Sequence, residues 1–261
     1  MERLEPERID VPGVEVRVVE RCASTNSLLL AHNAAGPVLL ATEEQTAGRG
    51  QHGRRWHSAA GADVAFSLAR RVQRPVRELA SLSLVAGVAA ASALRALGVA
   101  AVAVKWPNDL VVGSAKLGGI LVETRAQMGA EAGGAEAGAT HAVVGVGINC
   151  FGRPGLERRL RRPVAALDQF IRPSRNAVIG AIARSLIAAL ERFEAEGFAA
   201  ARSQWEAMDA HAGQRLRVRL ADGRSISGIG AGLAADGALR LITRAGERAV
   251  HSGRIVATRL A

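Results

Sequence analysis

The chain has 261 residues, 49% of them apolar, with 34 Lys and Arg against 24 Asp and Glu for a formal charge of +10. That length suits one large or two modest domains with a substantial core, and the charge calls for nucleic acid, nucleotide phosphates or an acidic protein as partner, or simply serves solubility. Two cysteines, Cys22 and Cys150, without a CxxC pair, and six scattered histidines exclude a disulfide framework and argue against structural zinc.

No export signal is read at the N-terminus, because residues 1–10 are charged and lack an apolar core. The strand-like run 14–20 is followed by Ser24-Thr25-Asn26, whose side chains suit the N-cap of a short helix entering Leu28-Leu29-Leu30. Residues 37–42 and 63–68 read as buried strands on either side of a Gly/Arg loop at 46–55. A long helix is predicted over 77–97. Its apolar core is interrupted by Ser81, Ser83, Gly87, Ser92 and Arg95, which fits a buried helix rather than a membrane span. A cytoplasmic location is expected.

Residues 99–106 read as a strand that stops at Pro107, which cannot continue a central ladder. Asn108-Asp109 makes a turn, 110–112 a short strand and 116–124 the next. The Gly/Ala/Glu-rich segment 127–140 is expected to be a mobile hairpin tip, 142–149 a strand, and 176–196 and 199–208 helices. From Gly213 the pattern changes to five short strands near 215–220, 224–233, 238–243, 247–251 and 254–258. They are separated by Asp222-Gly223, Asp236-Gly237 and Ala245-Gly246. This tail, with nine arginines and three acids, holds +6 of the charge and suits a small barrel. The expected division is 1–212 and 213–261.

Of the 34 basic residues only Lys105 and Lys116 are lysines, so these two positions stand out as ones where a planar guanidinium does not replace a compact ammonium. Lys105-Trp106-Pro107-Asn108-Asp109 followed by Lys116-Leu117-Gly118-Gly119-Ile120-Leu121-Val122-Glu123 puts both near one end of a hairpin, aimed at a common cavity. The loop Gly48-Arg49-Gly50-Gln51-His52-Gly53-Arg54-Arg55-Trp56 offers backbone N–H groups and guanidiniums to oxyanions and a ring for stacking. Gly145-Val146-Gly147-Ile148-Asn149 says little by itself.

Taken together and in this order, these segments resemble the biotin–protein ligases. The family pattern is Ser-Thr-Asn, GRGRxGRxW, KWPND, KLxGILVE and GxGIN, followed by a C-terminal barrel. The resemblance implies an α/β (α+β) fold with a class II synthetase-like mixed sheet flanked by helices, then an SH3-like barrel. Only about 23 residues precede Ser24, so the form implied is the enzyme without a DNA-binding domain. The implied reaction consumes ATP and biotin with Mg2+ and passes through biotinyl-5′-adenylate to a lysine of a biotin carboxyl carrier protein. No DNA or membrane partner is expected, and a homodimer is left open.

By the same resemblance Lys116, Arg49 and Lys105 are catalytic. Ser24, Thr25, Asn26, Gln45, Arg49, Gly50, Gln51 and Lys116 hold biotin. Gly48, Arg54, Trp56, Lys105, Asn108 and Asn149 hold the nucleotide, and Asp109 assists a metal or orients a lysine. Gln51 stands where the family loop has arginine, so looser retention of the adenylate is expected. Two rivals remain. One is lipoate or octanoate ligation or transfer, the transfer route needing a cysteine such as Cys150. The other is plain nucleic-acid binding, for which three Trp, five Phe and no Tyr leave few stacking platforms.

Overall fold

The computed structural model describes residues 2–32, 36–126 and 139–259. A seven-stranded mixed sheet runs β1 (Glu15–Cys22), β2 (Val38–Gln45), β3 (Asp63–Val72), β4 (Val102–Lys105), β5 (Asp109–Val112), β6 (Ala115–Ala126) and β7 (Thr140–Asn149). Its spatial order is β1-β2-β3-β7-β6-β5-β4. Only β1 and β2 pair in parallel; the other neighbours are antiparallel. The 127–138 part of the expected hairpin tip lies outside the described residues.

Both faces of the sheet are covered, and alternation along β7 separates them. Ala142, Val144, Val146 and Ile148 join the main core, while Val143 packs with Leu29 of the short helix α1 (Thr25–Ala31) on the other side. Against the main face lie α2 (Leu82–Ala96), α4 (Arg175–Glu196) and α5 (Ala199–Ala207), with α3 (Leu156–Leu160) a single short turn after β7. Twelve of the fifteen residues of α2 are buried, and its small Gly and Ala positions let it pack closely. The 21 residues Val76–Ala96 are apolar enough to cross a membrane, but 78% of that window is buried inside the fold. This is the core helix that its serines imply. The helix begins differently from expectation. Val76–Ser81 is a 3-10 stretch after Pro75, and α-helix starts only at Leu82.

Ser24 caps α1, accepting the Ser27 amide at 3.4 Å, and Ser174 caps α4 from Ala177 at 3.3 Å. The strand expected from residue 99 pairs only over Val102–Lys105, and the Trp106–Pro107 bond is cis.

The C-terminal strands β8 (Arg215–Arg219), β9 (Ser225–Leu233), β10 (Leu239–Thr243), β11 (Gly246–Val250) and β12 (Arg254–Arg259) form an antiparallel sheet in the order β11-β10-β9-β8-β12. Gly223 and Gly237 take φ of 85° and 89° in its turns, which is why those positions are glycine. Leu216, Val218, Leu239 and Leu241 from this sheet belong to the same core as the large sheet. Trp106 Nε1 donates to Gly237 O at 3.3 Å, and Val104 N to Met208 O at 2.9 Å, so the second sheet is seated on the β4 end of the first.

Candidate active site

One cavity of about 600 Å³ opens between α1, the 46–56 loop, the β4–β5–β6 hairpin and strand β12. Its lining contains both lysines and most of the residues singled out by sequence: Ser24, Thr25, Asn26 and Gln45; Arg49, Gly50, Gln51, Arg54 and Trp56; Lys105, Asn108, Asp109 and Lys116. Arg49 and Lys116 therefore face one shared hollow. Gly48 and Asn149 are not in its wall.

The end next to α1 is neutral and internally satisfied. Gln45 Oε1 accepts from Thr25 N at 3.0 Å and Thr25 Oγ1 at 3.2 Å. Ser67 Oγ lies 2.7 Å from Thr25 Oγ1 and 2.5 Å from Asn26 Oδ1, and its one proton serves one of them. Asn26 Nδ2 donates to Leu121 O at 3.2 Å and to Glu123 at 2.9 Å. Gly145 makes this possible: a Cβ there would sit 2.2 Å from Asn26 Oδ1. Gly147 does the same for Trp56, whose ring would meet a Cβ at 2.6 Å. The two glycines of β7, uninformative in sequence, are the floor on which these side chains lie.

The other end is cationic. Lys105 and Asp109 are register partners across β4 and β5, and Lys116 Nζ bonds the Asp109 carboxylate. Gly119 leaves room for that ammonium, since a Cβ there would lie 3.1 Å from Nζ. Burial lowers the pKa of both lysines, and the Asp109 charge opposes the fall. Arg54, Arg161, Arg162 and Arg254 complete this wall, and Asp109 is its sole carboxylate. Burial and the nearby Arg254 push the Arg54 pKa down. Such an excess of positive charge in a concave site concentrates field on an anion.

Neighbouring backbone fixes the lysine-bearing strands. The 163–166 segment runs beside the start of β6, with Lys116 N donating to Pro163 O at 3.1 Å and Ala165 N to Lys116 O at 3.0 Å. Asn149 Nδ2 donates to Ala165 O at 3.0 Å and Lys116 O at 3.3 Å. This amide, assigned to the nucleotide by sequence, is spent on holding Lys116's backbone. Asn108 Nδ2 donates to Ile120 O at 2.6 Å, tying the turn to β6. The loop itself is a narrow flap. Gly50 N donates to Arg54 O at 2.7 Å and Trp56 N to Gly48 O at 2.9 Å, so Gly48 ties the base of the loop together behind the cavity wall. Below it, Asp63 and Arg153 brace the chain: Ala59 N donates to Asp63 at 2.9 Å and Arg153 to His57 O at 2.7 Å.

Sequence reasoning missed Arg161, Arg162 and Arg254, which tertiary placement brings in, and Ser67 and Glu123, which lie within strands β3 and β6. Glu123 closed the KLGGILVE segment but received no role. Cys150 is fully buried, outside the cavity, with its thiol pushed up to about 12 by burial.

Residues 18–149 match the biotin/lipoate A/B protein ligase family, and residues 211–257 match the biotin protein ligase C terminal domain. A bifunctional ligase/repressor BirA of Escherichia coli is 37% identical over 233 residues, which cover 88% of this chain and 70% of that protein. A biotin–[acetyl-CoA-carboxylase] ligase of Mycobacterium tuberculosis is 33% identical over 251 residues, 93% of this chain and 88% of that one. The fold is that of an Aquifex aeolicus biotin protein ligase solved with biotin and ATP: the TM-score is 0.77 at 24% identity, over 95% of this chain and 99% of that one. The matches span the helix-backed mixed sheet and the antiparallel tail, and the chain belongs to the biotin protein ligases of the biotin/lipoate A/B protein ligase family.

Proposed function

We propose that this cavity joins biotin to ATP and then to a protein lysine. The observation that carries the reading is the polarity of the single hollow, neutral donors and acceptors at one end and Arg54, Lys105, Lys116, Arg162 and Arg254 at the other. An uncharged ureido ring suits the first, because a site built on such bonds leaves buried groups unpaired with any analogue that lacks them. A triphosphate suits the second.

The biotin carboxylate attacks the α-phosphorus of ATP, the bond to the β-phosphate oxygen breaks, and pyrophosphate leaves with the electron pair. Lys116, whose ammonium lines the cavity beside Asp109, stabilises charge on the carboxylate and later on the acyl oxygen. Lys105, Arg54 and Trp56 serve the nucleotide. Arg49 and the Gly48–Gly50 backbone form the flap that keeps water from the mixed anhydride. A carrier lysine amine then attacks the acyl carbon, AMP leaves, and the amine gives up a proton as the amide forms.

No group of three or more His, Cys, Asp or Glu among the described residues is placed to hold a metal. Magnesium commonly takes one or two carboxylates and the substrate's own phosphates. Bound with ATP, it would be held chiefly by the phosphates, with Asp109 the one lining carboxylate at hand, and would neutralise phosphate charge. Asp109's bond to Lys116 equally supports its orienting the lysine.

The proposed division is a catalytic unit of 1–212 and a C-terminal unit of 213–261, supported by the change from mixed to antiparallel sheet and by the two family matches. The proposed setting is the cytoplasm, with a biotin carboxyl carrier protein of acetyl-CoA carboxylase as acceptor. The octanoyl-transfer alternative would need Cys150, and its burial outside the cavity speaks against a nucleophile.

Pyrophosphate release with ATP and either biotin or lipoate tests the reading. Release is expected with biotin and only at background with lipoate; the reverse preference overturns it.

A further inference from the structure

Glu123 is used by neither chemical step, yet it touches both working parts of the cavity. Its carboxylate accepts Arg49 Nη2 of the flap at 3.0 and 3.1 Å, and Asn26 Nδ2 of the neutral end at 2.9 Å. Asn26 has little freedom to move away. It lies on Gly145, and its amide is held by Leu121 O and Ser67. The flap has more, since the Arg49 side chain is 47% exposed against 25% for Glu123. One carboxylate thus divides its charge between a fixed amide that belongs to the ring site and a movable guanidinium that belongs to the lid.

We propose that Glu123 is a positioning residue that links filling of the neutral end to closure of the 46–56 flap. The inference rests on the biotin ligase reading. A ureido ring takes up part of the hydrogen bonding of Asn26 and Ser67, and the carboxylate, sharing less of its charge with Asn26, binds Arg49 more firmly. With the ring site empty the charge is divided and the flap is held loosely, leaving the mouth open to ATP and biotin. A half-exposed ion pair suits this role: it is weak enough to open at every turnover. Glu123 therefore acts through Arg49 and Asn26 and touches no reacting atom.

Arg49, Arg54 and Arg55 make the flap a trypsin substrate, so its closure can be read without turnover. The full chain is digested with and without biotin, in the absence of ATP, alongside Glu123→Gln and Glu123→Ala, and biotin affinity is measured by calorimetry. In the wild type, biotin is expected to slow cleavage in the flap by about fivefold, the span of a half-exposed ion pair. Glu123→Gln keeps an acceptor for Asn26 but no charge for Arg49. It should bind biotin within about threefold of wild type, an allowance inside the usual effect of one neutral hydrogen bond, while losing the protection. In full reaction mixtures it should release the adenylate about fivefold faster. Glu123→Ala should lose both affinity and protection. Equal protection in wild type and Glu123→Gln overturns the link while leaving the ligase reading intact. A wild-type chain that binds no biotin overturns the ligase reading and the link together.

Discussion

The two ends of the cavity solve opposite problems. Around Thr25, Asn26, Gln45 and Ser67 every polar group named already has a partner, and Ser24, Thr25 and Asn26 are each under 5% exposed. Around Lys105 and Lys116 a single lining carboxylate, Asp109, faces six cations, the two lysines with Arg54, Arg161, Arg162 and Arg254. The first end is pre-organised, and it gains selectivity because a ligand must replace with its own donors and acceptors every internal bond it displaces. The second is held in electrostatic imbalance that a polyanion relieves, and it gains rate and affinity from charge. Lys116 belongs to the second end and shares the cavity wall with the first. Its ammonium is parked on Asp109 while its backbone is fixed by Asn149 and the 163–166 segment.

The comparison is broken most severely by removing Lys116. Lys116→Ala should lower adenylate formation by about 10²–10³-fold, as for loss of a group that meets developing charge, with the circular dichroism spectrum and Tm near wild type. Lys116→Arg should also be impaired, because a planar fork does not fit beside Gly119 and Asp109. Near-normal adenylation in either variant would remove the assigned role.

Next in size is the neutral end. Asn26→Ala should raise the biotin KM about tenfold or more, the cost of a buried partner left unpaired, while the ATP KM stays within about twofold, inside the usual reach of a substitution that touches neither ligand. Parallel rises in both constants would mean that the two ends are not separate. Arg254→Ala reaches the cationic end from the C-terminal sheet and should show the opposite split. The ATP KM should rise about threefold, the modest effect of an exposed charge, with the biotin KM unmoved.

The pH dependence sharpens the contrast. Burial lowers the Lys105 pKa below the usual lysine range, so it loses its proton at lower pH than an exposed lysine. A triphosphate favours the protonated form, so ATP affinity should fall as pH rises through that lowered value. Lys105→Arg keeps its charge and should carry ATP binding to higher pH. Profiles that coincide would show that Lys105 does not meet the phosphates. The smallest effect expected is at Gln51, which lines the cavity where the family loop has arginine. Gln51→Arg should slow adenylate release by a few-fold, the scale of one added ion pair, and equal release rates would remove the idea.

Much of this was legible in the sequence because local chemistry and tertiary role coincide. β4 stops at Lys105 just ahead of Pro107, the turn falls at 106–108 with Asp109 already in β5 rather than in the turn, and Lys105 and Lys116 stand out against an arginine background. The five C-terminal strands announce themselves by their turns. What could not be read is what distance along the chain hides. Arg161, Arg162 and Arg254 are three arginines among 32, and only the packing of the 163–166 segment on β6 and of β12 at the cavity mouth selects them. Asn149 looked like a ligand because its motif ends there, yet its amide faces two carbonyls. The helix α3 is a single turn, too short for a periodic signal. The 3-10 start of the long helix follows Pro75, and nothing in Val76–Ser81 marks where 3-10 gives way to α-helix at Leu82.

The most direct measurement is the identity of what the cavity makes when no acceptor is present. The purified chain is incubated with ATP, magnesium and biotin, passed through a desalting column, and the small molecule carried with the protein is identified by mass spectrometry. Biotinyl-5′-adenylate in near-stoichiometric amount is the predicted result, absent when either substrate is omitted. Unreacted ATP and biotin recovered together, with no acyl adenylate bound or released, would contradict the account.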